Sequence, residues 1–517
     1  MTPYVGSGFG RTRRTLIIQR LLRLAPACLA ISLSAAPHQG SGTQDDLARR
    51  QYESGLEFMR AGKYAEALKD LETVVDGYPA SSVADDALLA IARYRLDVQR
   101  NPELAQSTAE SVLKRFPASD SVPMAYVVAG QAVVARGYTA VNVEAALASF
   151  DRVERLFPGA AAVAPALVAA GDTLRRLGRC PEALDRFDRV TLAYPRSSWA
   201  LAARVSSAAC LALSGRPLDA LQQVQRVVVT APSSAEAQQA RRLGTIVYRL
   251  YVRPPAQSPY GFAGDAIAGP AGKLKDVSAL AFGPEAALFV ASKGGIVALD
   301  RKGTTVRSVS AVEPRALFVD PQGRVVAAQK ALLVQDATPA PQLVTLTVPR
   351  GPGPAKVLGD ISAVAVLTSG ERLVADRGER GVFKFDNAGK YLGTLAPIRA
   401  SRIALGPVEQ IALLDRDTKS VAIYDRAGQS LARIASKGTS YELTNPADLA
   451  FDVLGHLYVL DGTQVAVFGP DGRLVALFTG GDRTSQGALR GGTAMALDQA
   501  ARLYIYDDRA ERVQIYQ

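Results

Sequence analysis

Residues 443–474 read LTNPADLAFDVLGHLYVLDGTQVAVFGPDGRL, and this stretch decides the fold of the second half of the chain. It contains three short apolar runs, at 446–452, 455–461 and 464–469, separated by turns rich in Gly, Asp and Asn. Short runs bounded by such turn residues are typical of β-strands in an all-β domain. The stretch therefore predicts one small antiparallel sheet.

The same pattern recurs through residues 274–517 at intervals of roughly 36–50 residues. The copies share a first strand of about seven residues, found at VSALAFG (277–283), PRALFVD (314–320), ISAVAVL (361–367), SRIALGP (401–407), PADLAFD (446–452) and GTAMALD (492–498). Small sheets repeated at this period close into rings because no single copy can bury both of its faces. Six copies predict a six-bladed β-propeller.

The repeat resembles NHL-type propellers, most fully at 443–474. The sixth copy continues the resemblance through Asp498, Tyr504 and Asp507, whereas Ser292 and Gln329 replace the usual aspartate after the second strand of the first two copies. The resemblance implies a platform that presents loops to partners. Some six-bladed propellers that resemble this one are metal-dependent lactonases or lyases.

The last copy ends at its third strand, Val513–Tyr516. A closed ring has no exposed edge. We therefore expect residues 253–273 to be a linker and closing strand, with the missing outer strand within Tyr260–Ile267.

Residues 45–252 show a different period. Pairs of an aromatic residue or alanine with proline recur about every 40 residues, at Tyr78-Pro79, Phe116-Pro117, Phe157-Pro158, Tyr194-Pro195 and Ala231-Pro232. Proline ends one helix and lets the next unit begin. The pattern predicts about five stacked helical hairpins, and thus a solenoid followed by a propeller.

These units resemble tetratricopeptide repeats. Small residues such as Gly55 and Gly171 are expected to let two helices approach closely, and Gly62 and Gly178 to turn the chain between them. The recurring Tyr/Phe-Pro-x-Ser motif is similar to that in repeats of the outer-membrane assembly lipoprotein and Tol–Pal coordinator families. That likeness implies an envelope protein with protein or peptide partners.

Two sets of residues are candidate contact surfaces. The tetratricopeptide resemblance implies a peptide-binding groove lined by Arg49, Tyr52, Met59, Arg60, Asp172, Arg175 and Arg176. Its arginines favour an acidic or carboxylate-bearing peptide. The long connections Pro349–Pro354, Ser436–Asn445 and Gly480–Gly492 give a propeller loop face with Arg350, Tyr441, Glu442, Arg483 and Arg490.

Residues 1–40 predict a signal peptide. The basic stretch RTRR at 11–14 precedes the apolar stretch 24–37, which is too short to span a bilayer. Cys28 raises the alternative of a lipidated cysteine, and Arg13-Arg14 that of a twin-arginine signal. We expect an exported protein, periplasmic or outer-membrane associated, with the outer membrane or peptidoglycan as its surroundings.

Composition argues against several classes of function. The net charge of +11 is not concentrated in a dense block of basic residues, which disfavours nucleic-acid binding. Two histidines and three cysteines without a CxxC pair disfavour histidine-based catalysis, zinc and other cofactors. Cys180 and Cys210 on adjacent hairpins form either a disulfide or two buried small apolar side chains.

The sequence therefore favours a non-catalytic protein-interaction scaffold of the cell envelope. The alternative is a metal-dependent propeller hydrolase such as a lactonase. Its metal site would recruit Glu313, Asn445 and Asp276 at the ends of inner strands. His456, in the turn-like segment GHLY, is expected to cap or pack there rather than act as a base.

Overall fold

The computed structural model describes residues 41–517 except 254–257, 270, 284–285, 321–322, 336–341, 352, 435–437, 439–440 and 481–486. The predicted signal peptide and Cys28 lie outside the described residues. The described part divides into a helical domain and a β-propeller.

Eleven α-helices form the described helical domain, and a π-helical turn, Tyr248–Val252, ends it. They pair along the chain into five hairpins followed by a last helix: α1 (Ser41–Arg60) with α2 (Tyr64–Gly77), α3 (Ala84–Asp97) with α4 (Pro102–Arg115), α5 (Val122–Ala135) with α6 (Ala140–Leu156), α7 (Val163–Arg176) with α8 (Cys180–Ala193), α9 (Ser198–Leu213) with α10 (Pro217–Thr230), and α11 (Ala235–Val247). Among the described residues, none of the helices has the length and apolar character needed to cross a membrane.

Glycines set the spacing within the hairpins, as the sequence predicts. A Cβ added to Gly171 would lie 2.4 Å from Cε1 of Phe187, and one added to Gly55 would lie 2.9 Å from Cγ of Leu71. Gly62 and Gly178 turn the chain with φ of +73°, a region that only glycine adopts readily. Cys180 and Cys210 are buried free thiols, so the structure has them as small apolar side chains of the core.

The six described four-stranded sheets are antiparallel throughout. Five are each built from one continuous segment of the chain. The first two hold β2 (Val277–Phe282), β3 (Leu288–Ser292), β4 (Gly295–Leu299) and β5 (Thr305–Val309), and then β6 (Ala316–Val319), β7 (Val325–Ala328), β8 (Leu332–Gln335) and β9 (Gln342–Val344). The next three hold β12 (Ile361–Val366), β13 (Arg372–Asp376), β14 (Gly381–Phe385) and β15 (Tyr391–Ala396), then β16 (Arg402–Leu405), β17 (Ile411–Asp415), β18 (Ser420–Tyr424) and β19 (Ser430–Ile434), and last β20 (Pro446–Phe451), β21 (Leu457–Asp461), β22 (Gln464–Phe468) and β23 (Leu474–Thr479).

Five blades, and not the expected six, are thus each formed by four strands that are consecutive in the sequence. The remaining sheet is shared between the two ends of the domain. It holds β24 (Gly492–Leu497), β25 (Leu503–Asp507) and β26 (Arg512–Tyr516), and its outer strand is β1 (Phe262–Ile267). β1 pairs antiparallel with β26, with Phe262 opposite Tyr516 and Ile267 opposite Val513. The expected closing strand is therefore present within Tyr260–Ile267.

The innermost strands contact one another in the order β2, β6, β12, β16, β20, β24 and back to β2, so they surround a central channel. A hairpin of β10 (Thr347–Arg350) and β11 (Gly353–Val357) is inserted between β9 and β12. The connection expected as a long loop at Pro349–Pro354 is the tip of this hairpin.

The tight contact at Gly171 predicts an asymmetry between two glycine substitutions. Gly171→Ala should lower the free energy of unfolding by about 1–3 kcal/mol, because Phe187 must move to accept the methyl group. Gly77→Ala is the control, since nothing lies within 4 Å of its added Cβ. Urea unfolding can be followed through Trp199 in α9, the single tryptophan of the chain. Equal midpoints for the two variants would contradict the packing argument.

Ring closure predicts the effect of a short deletion. Removing residues 513–517 takes away most of β26 and leaves both β25 and β1 without their partner strand. We expect a loss of more than about 3 kcal/mol, since buried Tyr516 alone accounts for that much, together with rapid proteolysis of the propeller. Arg473→Ala, at a side chain 89% exposed, is the control. A truncated chain that unfolds cooperatively at the original midpoint would show that the ring does not need this strand.

Candidate functional site

The π-helical turn after α11 joins the two domains through a buried arginine. The Arg249 guanidinium lies 4.4 Å from the ring centroid of Tyr260, and its Nη1 donates a hydrogen bond of 2.9 Å to the carbonyl of Ala501. The Tyr260 hydroxyl donates to the same carbonyl at 2.8 Å. Ile246 and Tyr458 belong to one continuous apolar core across this joint. The domains are therefore packed together, not tethered.

His456 lies at the centre of the same joint. Its Nδ1 is 2.7 Å from Oδ2 of Asp452, its Nε2 is 2.6 Å from the Tyr251 hydroxyl, and its side chain is fully buried. Burial, followed by the nearby charge of Asp452, raises the pKa of Tyr251 to about 12, so this phenol stays protonated at neutral pH. Asp452 and His456 are buried and Tyr251 is half-buried. We assign this carboxylate–imidazole–phenol chain to packing, as the turn-like GHLY segment indicates.

Two more contacts show which face of the propeller the helices cover. Arg176 Nη1 donates to the carbonyl of Pro407 at 2.8 Å, and Arg426 Nη1 donates to the carbonyl of Arg136 at 2.5 Å. Pro407, Arg426 and His456 all lie in turns between first and second or between third and fourth strands. In antiparallel sheets these turns share one face of the ring. The helices that the structure describes therefore leave the opposite face uncovered.

Four of the predicted groove residues lie on α1. Arg49 Nε forms a 2.9 Å ion pair with Asp45, and its Nη2 donates to Ser82 Oγ at 2.7 Å. Tyr52 and Met59 are half-buried and pack against the apolar cluster formed by the first helices. Arg60 is exposed at the end of α1. Arg60 is thus the most accessible of the four.

The other three lie at the end of α7 and are engaged within the protein. Asp172 Oδ1 accepts a hydrogen bond of 2.8 Å from Ser206 and pairs with Arg175 at 3.2 Å. Arg176 binds the propeller through Pro407. The sequence did not reveal that the propeller contacts this part of the solenoid, because the repeat within each domain carries no information about contacts between the two domains.

The predicted propeller loop-face residues belong to separate connections, apart from the neighbours Tyr441 and Glu442. Arg350 pairs with Glu379 at 3.2 Å, and the Glu442 carboxylate accepts from the Gly438 amide at 2.9 Å. The Tyr441 hydroxyl donates to Asp461 at 3.1 Å, and burial raises the pKa of this phenol. Arg490 is exposed. Arg483 lies outside the described residues.

Buried aspartates at the ends of second strands hold the uncovered face together. Asp376 accepts hydrogen bonds from the amides of Gly359 and Asp360, Asp461 from those of Thr444 and Asn445, and Asp507 from that of Arg490. Each carboxylate fastens the incoming connection from the preceding blade. This gives a physical reason for the aspartate of the repeat, and the first two blades carry Ser292 and Gln329 in its place.

A cavity of about 680 Å³ opens at the channel mouth on this face. Five arginines line it: Arg315, Arg377, Arg399, Arg402 and Arg416. Sequence reasoning missed this site because its arginines are spread over three blades, with Arg315 in the second, Arg377 in the third and the other three in the fourth. The signal was present nonetheless. Arg315 and Arg402 hold the same position at the start of their inner strands, and Arg377 and Arg416 each follow the aspartate that ends a second strand.

Arg402 forms the floor of the mouth. From blade four it reaches across the ring to blade one, where its Nη2 donates to the carbonyl of Ser278 at 2.8 Å. Its Nε lies 3.2 Å from Oδ1 of buried Asp448. Desolvation raises the pKa of Asp448, and the charge of Arg402 counters that rise. Next to this pair lies a second cavity of about 240 Å³ in the channel, lined mainly by apolar side chains, among them Phe282 and Phe451.

The residues of the metal-site alternative do not converge. Asn445 lines the mouth, but Asp276 pairs with Lys293 at 3.5 Å and Glu313 approaches Gln329 at 3.5 Å. Throughout the described residues, no group of three or more His, Cys, Asp or Glu side chains has the arrangement of a metal site. A divalent cation would also face five guanidinium groups. The donor set at the mouth therefore does not fit a divalent metal.

The buried joint predicts different effects for two neighbouring tyrosines. Tyr251→Phe leaves the buried Nε2 of His456 without a hydrogen-bond partner and should lower the free energy of unfolding by about 1–3 kcal/mol. Tyr248→Phe is the matched control, because Tyr248 is 52% exposed and should change stability by less than about 0.5 kcal/mol. Thermal unfolding measures both. A Tyr251→Phe variant as stable as the control would remove the imidazole–phenol contact from the joint.

Comparison with known proteins gives a family match within the helical domain. Residues 44–204 match the protein family described as YfiO, outer membrane lipoprotein. A tetratricopeptide-repeat protein of Thermus thermophilus is 20% identical, covering 38% of this chain and 98% of its own, with a TM-score of 0.32.

Two other solved structures are similar over about half of the chain. A gluconolactonase of Xanthomonas campestris is 20% identical, covering 47% of this chain and 86% of its own, with a TM-score of 0.38. A virginiamycin B lyase of Staphylococcus aureus is 10% identical, covering 48% and 82%, with a TM-score of 0.36. At these levels the similarities carry no argument about activity. No curated protein matches the chain. The chain joins a YfiO-like, tetratricopeptide-type domain at 44–204 to a β-propeller.

Proposed function

We propose that the chain is a protein-interaction scaffold of the cell envelope. The groove of its first helical repeats binds a peptide or protein, and the uncovered face of its propeller binds a second partner. The match of residues 44–204 to outer membrane lipoproteins supports the envelope as its location. Export through the signal peptide, a periplasmic or outer-membrane position and an NHL-type propeller belong to the same proposal.

The buried joint is the observation that carries this proposal. Arg249 and His456 hold the end of the solenoid against one face of the propeller. The first hairpin, with exposed Arg60, and the opposite propeller face, with exposed Arg490, both remain accessible. A packed joint of this kind fixes the distance between two bound partners, which is what a scaffold requires.

The lactonase alternative has less support from the same residues. Such a site needs oxygen ligands that converge on one cation. Asp276 and Glu313 are each engaged with a neighbouring side chain, and the mouth is lined by arginines. The similarity to a gluconolactonase remains one of fold.

Site-specific photocrosslinking in cells tests both surfaces of the full chain. A photoreactive residue at position 60 should capture one partner in the groove, and one at position 490 a different partner on the propeller face. Position 114 on α4 and position 433 on β19, both exposed, are the matched controls. We expect distinct adducts at 60 and 490 that are absent at 114 and 433.

A second variant connects the adduct to groove chemistry. Arg49→Glu, combined with the crosslinker at position 60, should reduce the groove adduct at least about fivefold if the partner is acidic. The adduct at position 490 should not change. Equal adducts at test and control positions, or none at 60 and 490, would contradict the scaffold.

A further inference from the structure

The arginines at the channel mouth come from different parts of the chain and meet around one cavity. Arg315 precedes β6, Arg377 follows β13, Arg399 precedes β16, and Arg416 follows β17. The cavity of about 680 Å³ is within the range of roughly 300–1,000 Å³ typical of small-molecule sites. Arg402, which pairs with Asp448, lines both this cavity and the apolar cavity next to it.

The carboxylates around the mouth do not neutralise these arginines. Asp360 is shared between Arg315 at 2.8 Å and Arg377 at 3.0 Å, and Asp417 pairs with Arg399 at 3.1 Å. Asp448 forms an ion pair with Arg402. Five guanidinium groups and three carboxylates leave an excess of two positive charges.

Arg416 and Arg377 each have hydrogen-bond donors that the described part of the protein does not use. Arg416 donates to the carbonyl of Ala447, and within the described residues no carboxylate lies within ion-pair distance of it. Desolvation, followed by the charges of Arg402 and Arg377, lowers the pKa of the Arg416 guanidinium. The Nε of Arg377 is buried without a hydrogen-bond partner. Like charges held together, with donors unused, are stabilised by an anion that accepts those donors.

We propose that the propeller mouth is a binding site for a small organic dianion bearing carboxylate or phosphate groups, held by Arg377, Arg399 and Arg416. Guanidinium groups recognise both of these anions through paired, charge-assisted hydrogen bonds. Asn445 and Thr493 line the same cavity and are neutral polar residues beside the arginines. This site stands independently of a partner in the helical groove.

Calorimetric titration of the full chain with succinate, inorganic phosphate and potassium chloride at matched ionic strength tests the proposal. We expect saturable binding of succinate or phosphate and none of chloride. A response to succinate alone assigns a carboxylate ligand, and a response to phosphate alone assigns a phosphate ligand. The double variant Arg377→Gln/Arg416→Gln should weaken binding at least about tenfold, because two charge-assisted donors are lost. Arg433→Gln, an exposed arginine on β19, should bind as the original chain does.

A second measurement keeps the test decisive if the double variant does not fold. Phenylglyoxal modifies accessible arginines, and mass spectrometry locates the modified residues. The bound anion should protect Arg377, Arg399 and Arg416 in the unaltered chain, while Arg433 should react equally with and without it. No binding beyond that of chloride, or protection spread equally over Arg433, would overturn the proposal. Both outcomes are separate from the loss of crosslinks that would reject the scaffold.

Discussion

The rest of the structure depends on one buried polar joint. His456, held by Asp452 in a turn of blade five, contacts Tyr251 at the end of the solenoid, and Arg249 from the same π-helical turn donates to the carbonyl of Ala501 in the last blade. Polar groups buried in this way are costly unless each finds its partner, so their arrangement tolerates few alternatives. Two domains that each bury their own core are thereby fixed in one relative orientation.

This orientation decides which surfaces remain accessible. Turns on one side of the ring contact the ends of α5 and α7 and the π-helical turn after α11, so that face is occupied by the protein itself. The connections on the other side are fastened by buried aspartates such as Asp461 and face outward around the channel mouth. Loops that are held by buried carboxylates present their side chains in fixed positions, which suits recognition.

The mouth differs chemically from a metal-binding propeller channel. Arginines from several blades converge there, and one of them, Arg402, closes the channel by reaching Ser278 on the far side of the ring. Positive charge gathered in a concave site concentrates anions and repels divalent cations. The fold is shared with enzymes, but a fold supplies a scaffold, and its side chains decide the chemistry.

The sequence by itself determined the two periods, the helical hairpins with their glycine contacts, the strands of the propeller and the closing strand at its start. These features are local or repetitive, so spacing and residue type are enough to define them. The hairpin at Thr347–Val357 and the joint at His456 were decided only by the tertiary structure, because each depends on what packs against it. The arginine cluster was hidden for the same reason. Arg315 and Arg416 lie about a hundred residues apart in sequence, and only closure of the ring brings such distant charges to one cavity.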